Sequence, residues 1–297
     1  MIPTHWPMGL TINACVVLIG AAFFHWLERR NPIFKSYKTG PTARRGYLAD
    51  FIALVVDGPV LSGLTKALSL QLITLLPEAL PVLRGWPWWT QFALFFIIND
   101  FGRYWLHRWY HESDLLWRIH RVHHTVVEMD AFSVFRVHVL EGAIKYGLLI
   151  LPFRLLGVDR WVMIIYTSID ILKGFWHHAN LRTHIGSWNY VLNSAEQHWW
   201  HHSVEARGQR ANYGSVLSIW DRLFGTFYWP RGEWPARIGV DGMDRFPSDY
   251  VGQFASIRHD DDAMIRACNA GAAEQPRSAD AQLRHDAAQP ATEQPAL

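Results

Sequence analysis

Cysteine is nearly missing from this chain. Its 297 residues include two cysteines, Cys15 in an apolar stretch and Cys268 in a polar tail. No cysteine pair frames a zinc ribbon, and no disulfide scaffold can be built from them. An excess of charge is missing too. The formal net charge is +2, so nothing global points to a nucleic acid partner, and none is expected. No repeat of fixed period appears. The first apolar stretch has neither a basic flank nor a small-residue cleavage site, so a removed signal peptide is not expected. Residues 260–297 are rich in Ala, Gln, Asp and Pro and hold almost no aromatic or β-branched residues. Such a segment cannot bury enough apolar surface to order itself, which reads as a disordered tail.

What is abundant is apolar and aromatic. Half the chain is hydrophobic, with 16 Trp, 16 Phe and 10 Tyr, a load that suits membrane interfaces. Apolar stretches run over 10–27, 48–76, 88–106, 139–156 and 161–176, against the roughly 20 residues a spanning helix needs. The competing expectation is a set of buried core helices in a soluble protein, kept alive by Asn13, Asp57 and Asp100. The basic residues Arg29, Arg30, Lys35, Lys38, Arg44 and Arg45 lie between the first two stretches. The positive-inside rule places that loop in the cytoplasm. Counting passes onward puts the loop at 76–89 outside, and residues 107–138 and 177–202 on the cytoplasmic face. The expectation is therefore an all-α, multi-pass integral membrane helical bundle, of the bacterial inner-membrane kind. Its parts would be N-terminal membrane helices over 1–90, a catalytic domain over 91–232, and a C-terminal extension over 233–297, disordered from about 260.

Twelve of the sixteen histidines fall between residues 107 and 202. "HRWYH" sets His107 and His111 four apart. "HRVHH" holds His120, His123 and His124, and "HWWHH" repeats that spacing with His198, His201 and His202. On a helix, i, i+3 and i+4 share one face, so each box would present its imidazoles together. Single histidines such as His5, His25, His259 and His285 read as ordinary interfacial or core residues. Clustered imidazoles do not: buried without a metal they would be costly, and once protonated they would repel. A bound cation requires the neutral form and removes both problems. Eight or nine nitrogens oversubscribe one ion, so two ions share the set. Imidazole suits Fe, Zn, Cu and Ni, and the lack of Cys or Met nearby argues against Cu(I).

These boxes, H-x3-H, H-x2-H-H and H-x2-H-H, resemble those of the membrane fatty acid hydroxylase/sterol desaturase superfamily. "FRVHVLEG" (135–142) and "NYGSVLSIWDRLFGTFYWP" (212–230) are similar to segments of that family as well. The likeness runs from Asn99 to Pro230. It implies an integral membrane non-haem di-iron oxygenase, using two iron ions and O2 to hydroxylate or desaturate a C–H bond of a lipid such as a sterol or fatty acyl chain. Carried over by position, the metal ligands would be His107, His111, His120, His123, His124, His198, His201 and His202, with His178 as a further one. His184 or His177 would complete the set. His138 reads as a supporting residue, pairing with Glu141 or a ligand. Asp100, Glu112, Glu196 and Asp221 are candidate orienting carboxylates.

No flavin or nicotinamide fingerprint, four-cysteine iron–sulfur set or fused haem motif is present. Electrons would then come from an external ferredoxin- or cytochrome b5-like protein, docking on Arg103, Arg108, Arg118 and Arg121 if acidic. Two other classes remain open at this point. A zinc-dependent membrane hydrolase needs one open metal position and no electron donor. A non-catalytic metal transporter or sensor would place its ligands at the bilayer midplane on broken helices.

Overall fold

A computed structural model describes residues 6–34, 80–240 and 252. The apolar stretch 48–76, most of the basic loop and the tail 260–297 lie outside the described residues. Within them the chain is helical, with isolated β-bridges and no extended strand. One helix, over Thr11–Arg30, is long and apolar enough to cross a membrane.

Three long helices carry the architecture: α1 (Trp6–Arg30), α2 (Trp88–Glu112) and, further on, α6 (Arg160–His178). Pairings along their length show that they run parallel. Asn13 of α1 accepts from Ser168 of α6, and Phe24 stacks on Phe175. Phe95 packs on Tyr166, and Arg103 pairs with Asp170 four residues on. Gly20 matters here, because a Cβ would meet the Phe175 ring at 2.9 Å. All three helices deliver their C-terminal ends to one end of the molecule.

The return stroke is α4 (Val139–Leu149) and α5 (Leu151–Leu155), antiparallel to α2. Tyr110 donates to Glu141 O near one end and Asn99 donates to Leu149 O near the other. The stretch expected as one segment over 139–156 is thus two helices. Pro152 sits in the first turn of the second, where a residue without an N–H is tolerated, whereas in a helix interior it breaks the ladder. The helices at 88 and 161 also run further than the apolar stretches. They extend to Glu112 and His178, so histidines sit on rigid helix rather than in loops.

The remaining elements are short and gather at the same end. Ser113 caps α3 (Asp114–His124), and a capping box of Asp130 and Ser133 starts a 3-10 turn at Ala131–Phe135. A second capping box, Ser194 with Gln197, starts α7 (Ala195–His201). α8 (Ala206–Gln209) and α9 (Ile219–Phe224) follow, and Gly225 closes α9 in the left-handed conformation expected there, φ 74°.

Candidate metal centre

The histidine boxes converge where α2, α3, α6 and α7 end. Nine imidazoles form two groups, each with its ligand atoms within 4.8 Å of one another. His107, His111, His120, His124 and His201 make one; His123, His178, His198 and His202 make the other. Stacking of His124 on His202, centroids 4.3 Å apart, joins the two.

Each H-x2-H-H box is divided between the groups rather than kept on one face. Box two gives His120 and His124 to the first group and His123 to the second. Box three gives His198 and His202 to the second and His201 to the first. The reason is angular: successive helix residues differ by about 100°, so i and i+4 nearly eclipse while i+3 points to the side. Two boxes facing each other therefore build two sites by exchange.

Backbone carbonyls orient the rings. His123 Nδ1–H donates to Arg136 O at 3.1 Å and His178 Nδ1–H to Gly174 O at 2.8 Å. His107 and His201 do the same to Tyr213 O and Ala211 O, at 3.0 and 2.8 Å. These bonds leave Nε2 as a bare lone pair aimed into the group. His123 Nε2 and His178 Nε2 then face each other at 3.1 Å, a repulsive arrangement unless a cation lies between them. Further Nε2–Nε2 edges, His178–His198 and His198–His202, measure 3.0 and 3.1 Å. Nitrogens bound to one ion at about 2.1 Å stand about 3.0 Å apart when the bonds meet at right angles. Buried His111 Nε2, His124 Nε2 and His201 Nε2 have no protein partner, as a ligand atom reserved for a metal would. The donor set, all nitrogen with no thiolate, fits iron or another first-row ion.

Burial keeps these rings neutral. It pushes His123 down to about 4 and His201 down to about 3, and holds His124, His198 and His202 well below the usual imidazole range. Neighbouring imidazoles add to the effect by repelling any second proton.

His184 is brought to neither group. It lies in the loop before Gly186–Tyr190, and its Nδ1 reaches the buried carboxylate of Glu196 at 2.6 Å. His177 also turns away, donating through Nε2 to Asn193 O at 2.8 Å and so bracing the start of α7. His138 caps α4, accepting from Leu140 N at 3.1 Å. The carboxylate beside a box histidine is Glu141, whose Oε2 lies 3.1 Å from His120 Nδ1 with imperfect alignment. The four carboxylates considered from sequence do other work. Asp100 receives Val216 N, Leu217 N and Trp220 Nε1, Glu112 pairs with Arg108, and Glu196 holds His184 and Asn189. Asp221 receives Tyr213 N at 2.7 Å and Gly214 N at 2.8 Å; burial still pushes its carboxyl up to about 7.

Sequence reasoning missed Asn212. It is buried with a left-handed backbone, φ 59°, between the two carbonyls that orient His201 and His107. Its side chain donates to Gln197 O and Tyr228 O and accepts from Tyr228 N. The only hint was an Asn-Tyr-Gly run, a pattern that tolerates positive φ.

The far side of the centre is sealed. Trp199 is fully buried, stacked on Phe34 and edge-on to Trp234, so it meets a protein cover and not lipid. Gly239, at φ 122°, donates to His202 O and passes over the backbone of His124 and Val126. Of the arginines considered for a redox partner, Arg121 is fully buried and Arg103 is locked to Asp170. Neither can present charge to a docking protein.

A family model described as fatty acid hydroxylase matches residues 92–226, a span that holds all nine clustered histidines. The likeness to the fatty acid hydroxylase family thus covers the whole histidine array. Curated relatives include the ornithine lipid hydroxylase OlsE of Rhizobium tropici, 33% identical over 157 residues, covering 53% of this chain and 47% of the relative. The human alkylglycerol monooxygenase is 31% identical over 144 residues, 48% of this chain and 32% of that one. A probable Delta(7)-sterol 5(6)-desaturase of Neurospora crassa is 29% identical over 154 residues, 50% and 41%. The chain spans half or less of the length of these relatives. No solved structure matches it.

Proposed function

We propose that this protein is a member of the fatty acid hydroxylase family and a membrane-bound, non-haem di-iron oxygenase. It hydroxylates or desaturates a C–H bond of a lipid, using O2 and electrons from a separate ferredoxin- or cytochrome b5-like protein. The observation that carries the reading is the facing pair of bare Nε2 lone pairs, His123 and His178 at 3.1 Å, inside a nine-imidazole array.

Bound iron would supply the redox chemistry that an unactivated C–H bond demands. His107, His111, His120, His124 and His201 would hold one ion, and His123, His178, His198 and His202 the other. The chain's own part is preorganisation: carbonyls 136, 174, 211 and 213 fix tautomers and ring directions, and Glu141 braces His120. The cover of residues 31–34 and 231–240 would exclude bulk water on one side, leaving the helix side for substrate.

In the same proposal residues 91–232 are the catalytic unit, and α1, α2 and α6 cross the bilayer in parallel. Arg29 and Arg30 end α1 beside the centre, since Glu28 accepts from Ala131 N and Asn180 N. The positive-inside rule then puts the centre on the cytoplasmic side. Elemental analysis of purified protein, Mössbauer spectroscopy and lipid-dependent O2 uptake with a reductant test the function. Two coupled irons per chain and O2 uptake are expected. Zinc alone, with no O2 uptake after iron reconstitution, would favour a hydrolase and overturn the proposal.

A further inference from the structure

A ring of charge lies one helical turn below the histidines, and the metal groups leave it unused. Arg103 precedes His107 by four residues on α2, and Lys173 precedes His177 by four on α6. On the antiparallel α4, Lys145 follows Glu141 by four. One turn is about 5.4 Å of rise, so cations from three helices share one level beneath the centre. Asp170 answers part of this charge, with Oδ1 2.5 Å from Arg103 Nη1 and 3.5 Å from Lys173 Nζ. Lys173 also donates to Ser215 O and Oγ, at 2.7 and 2.8 Å.

Lys145 is different. It lies in the field of both Asp170 and Glu141. Among the described residues it makes no hydrogen bond or ion pair, and its ammonium stands only 5.4 Å from the Tyr146 ring. Glu141 Oε2 lies 3.1 Å from His120 Nδ1 without forming a hydrogen bond. Asp100 also acts on Lys173 and Glu141 on Lys145, so among the described residues Lys145 is the one of the three cations with no carboxylate in contact. Arg103, Asp170 and Lys173 keep 16%, 21% and 13% of their side-chain surface accessible, although they sit midway along helices. Charge at that depth is expensive against hydrocarbon and is found lining polar cavities or substrate paths.

We propose that Arg103, Lys145 and Lys173 bind an anionic group, a phosphate or carboxylate, carried by the lipid substrate. The proposal rests on the lipid-oxidation reading above and names the substrate class: an acidic amphiphile, oxidised within a few bonds of its charged end. One turn of separation from His107 and His177 sets that distance. Asp170 holds Arg103 and Lys173 in place while the site is empty. A neutral head would leave the Lys145 ammonium without a contact partner beyond the Tyr146 ring, and a cationic head would be repelled by it.

Equilibrium binding to the purified full-length protein in detergent tests this, with and without metal. The ligands share one alkyl chain: hexadecanoate, hexadecyl phosphate, hexadecanol and hexadecyltrimethylammonium. The anions should bind about tenfold more tightly than the alcohol, as a charge-assisted contact implies. Lys145→Met should remove that advantage. Arg160→Met, which deletes an exposed cation at the far end of α6, should keep it. Metal content and melting temperature establish that Lys145→Met folds; if it does not, Lys145→Gln against Lys145→Arg makes the same comparison. Inorganic phosphate at millimolar concentration should leave hexadecanoate bound. Displacement by phosphate alone, equal affinity for all four heads, or tightest binding of the ammonium lipid would overturn the proposal. Anion selectivity that depends on Lys145 in a protein that oxidises no lipid would overturn the oxygenase reading and leave this site standing. Lipid oxidation without head-group preference would do the reverse.

Discussion

Replacing Asn212 with alanine should loosen one metal group more than the other. Three hydrogen bonds are lost, one buried to Gln197 O and two partly buried to Tyr228 O and Tyr228 N, at about 1 kcal/mol each. Alanine at φ 59° adds about 1 kcal/mol of left-handed strain that asparagine tolerates. The sum is about 4 kcal/mol, a large share of a domain's stability. Glycine at the same position loses the bonds without the strain, so Asn212→Gly should cost about 3 kcal/mol. The carbonyls on either side of residue 212 orient His201 and His107, both of the five-histidine group. Lost support of this kind lowers metal affinity by about 10–100-fold. Chelator titration, with metal counted per chain, should show the ion of the five-histidine group leaving first, at lower chelator than in the wild type. Denaturant midpoints of the three proteins give the stability order. Equal retention of both ions, or alanine no worse than glycine, would refute the reasoning.

His201→Ala or His123→Ala should abolish lipid oxidation and lower metal content while membrane insertion persists; normal turnover in either would sink the ligand assignment. Unfolded imidazoles take protons near pH 6.5, whereas burial holds His123 and His201 to about 4 and about 3. The unfolded state therefore binds more protons between those values, and the metal-free protein should lose stability as pH falls from about 6.5 towards 3. A melting temperature that rises on acidification would contradict this. Gly239→Ala places a side chain at φ 122° over Val126 and Val127 and should cost about 1–3 kcal/mol, read from denaturant midpoints. Truncation after residue 259 should leave activity intact, and a loss would show that the tail has a role its composition does not announce.

The histidine spacing was readable from the chain because imidazoles are rare enough, and regular enough, to stand out. Their division into two groups was not, since i+3 and i+4 look equivalent on paper and diverge by about 100° on a real helix. Partners distant in sequence were harder still. Glu141 reaches His120 only because α4 folds back along α2, and no local pattern marks that approach. Asp100 and Asp221 sit near box residues in sequence, yet they cap the loop at 213–217 instead. His184, close to the last box in sequence, is carried outward by a loop to Glu196. Helix ends were misjudged where apolarity was used as a ruler, because α2 and α6 continue as polar helix into the centre.

The exchange of i+3 histidines between the boxes has a consequence for how two ions would load. His123 and His124 are joined by one peptide unit, as are His201 and His202, and each pair reaches into both sites. Filling either site fixes the backbone that presents ligands to the other, so part of the second ion's ordering entropy is lost with the first. Metal uptake should then be cooperative: at half saturation, empty and doubly loaded chains should outnumber singly loaded ones.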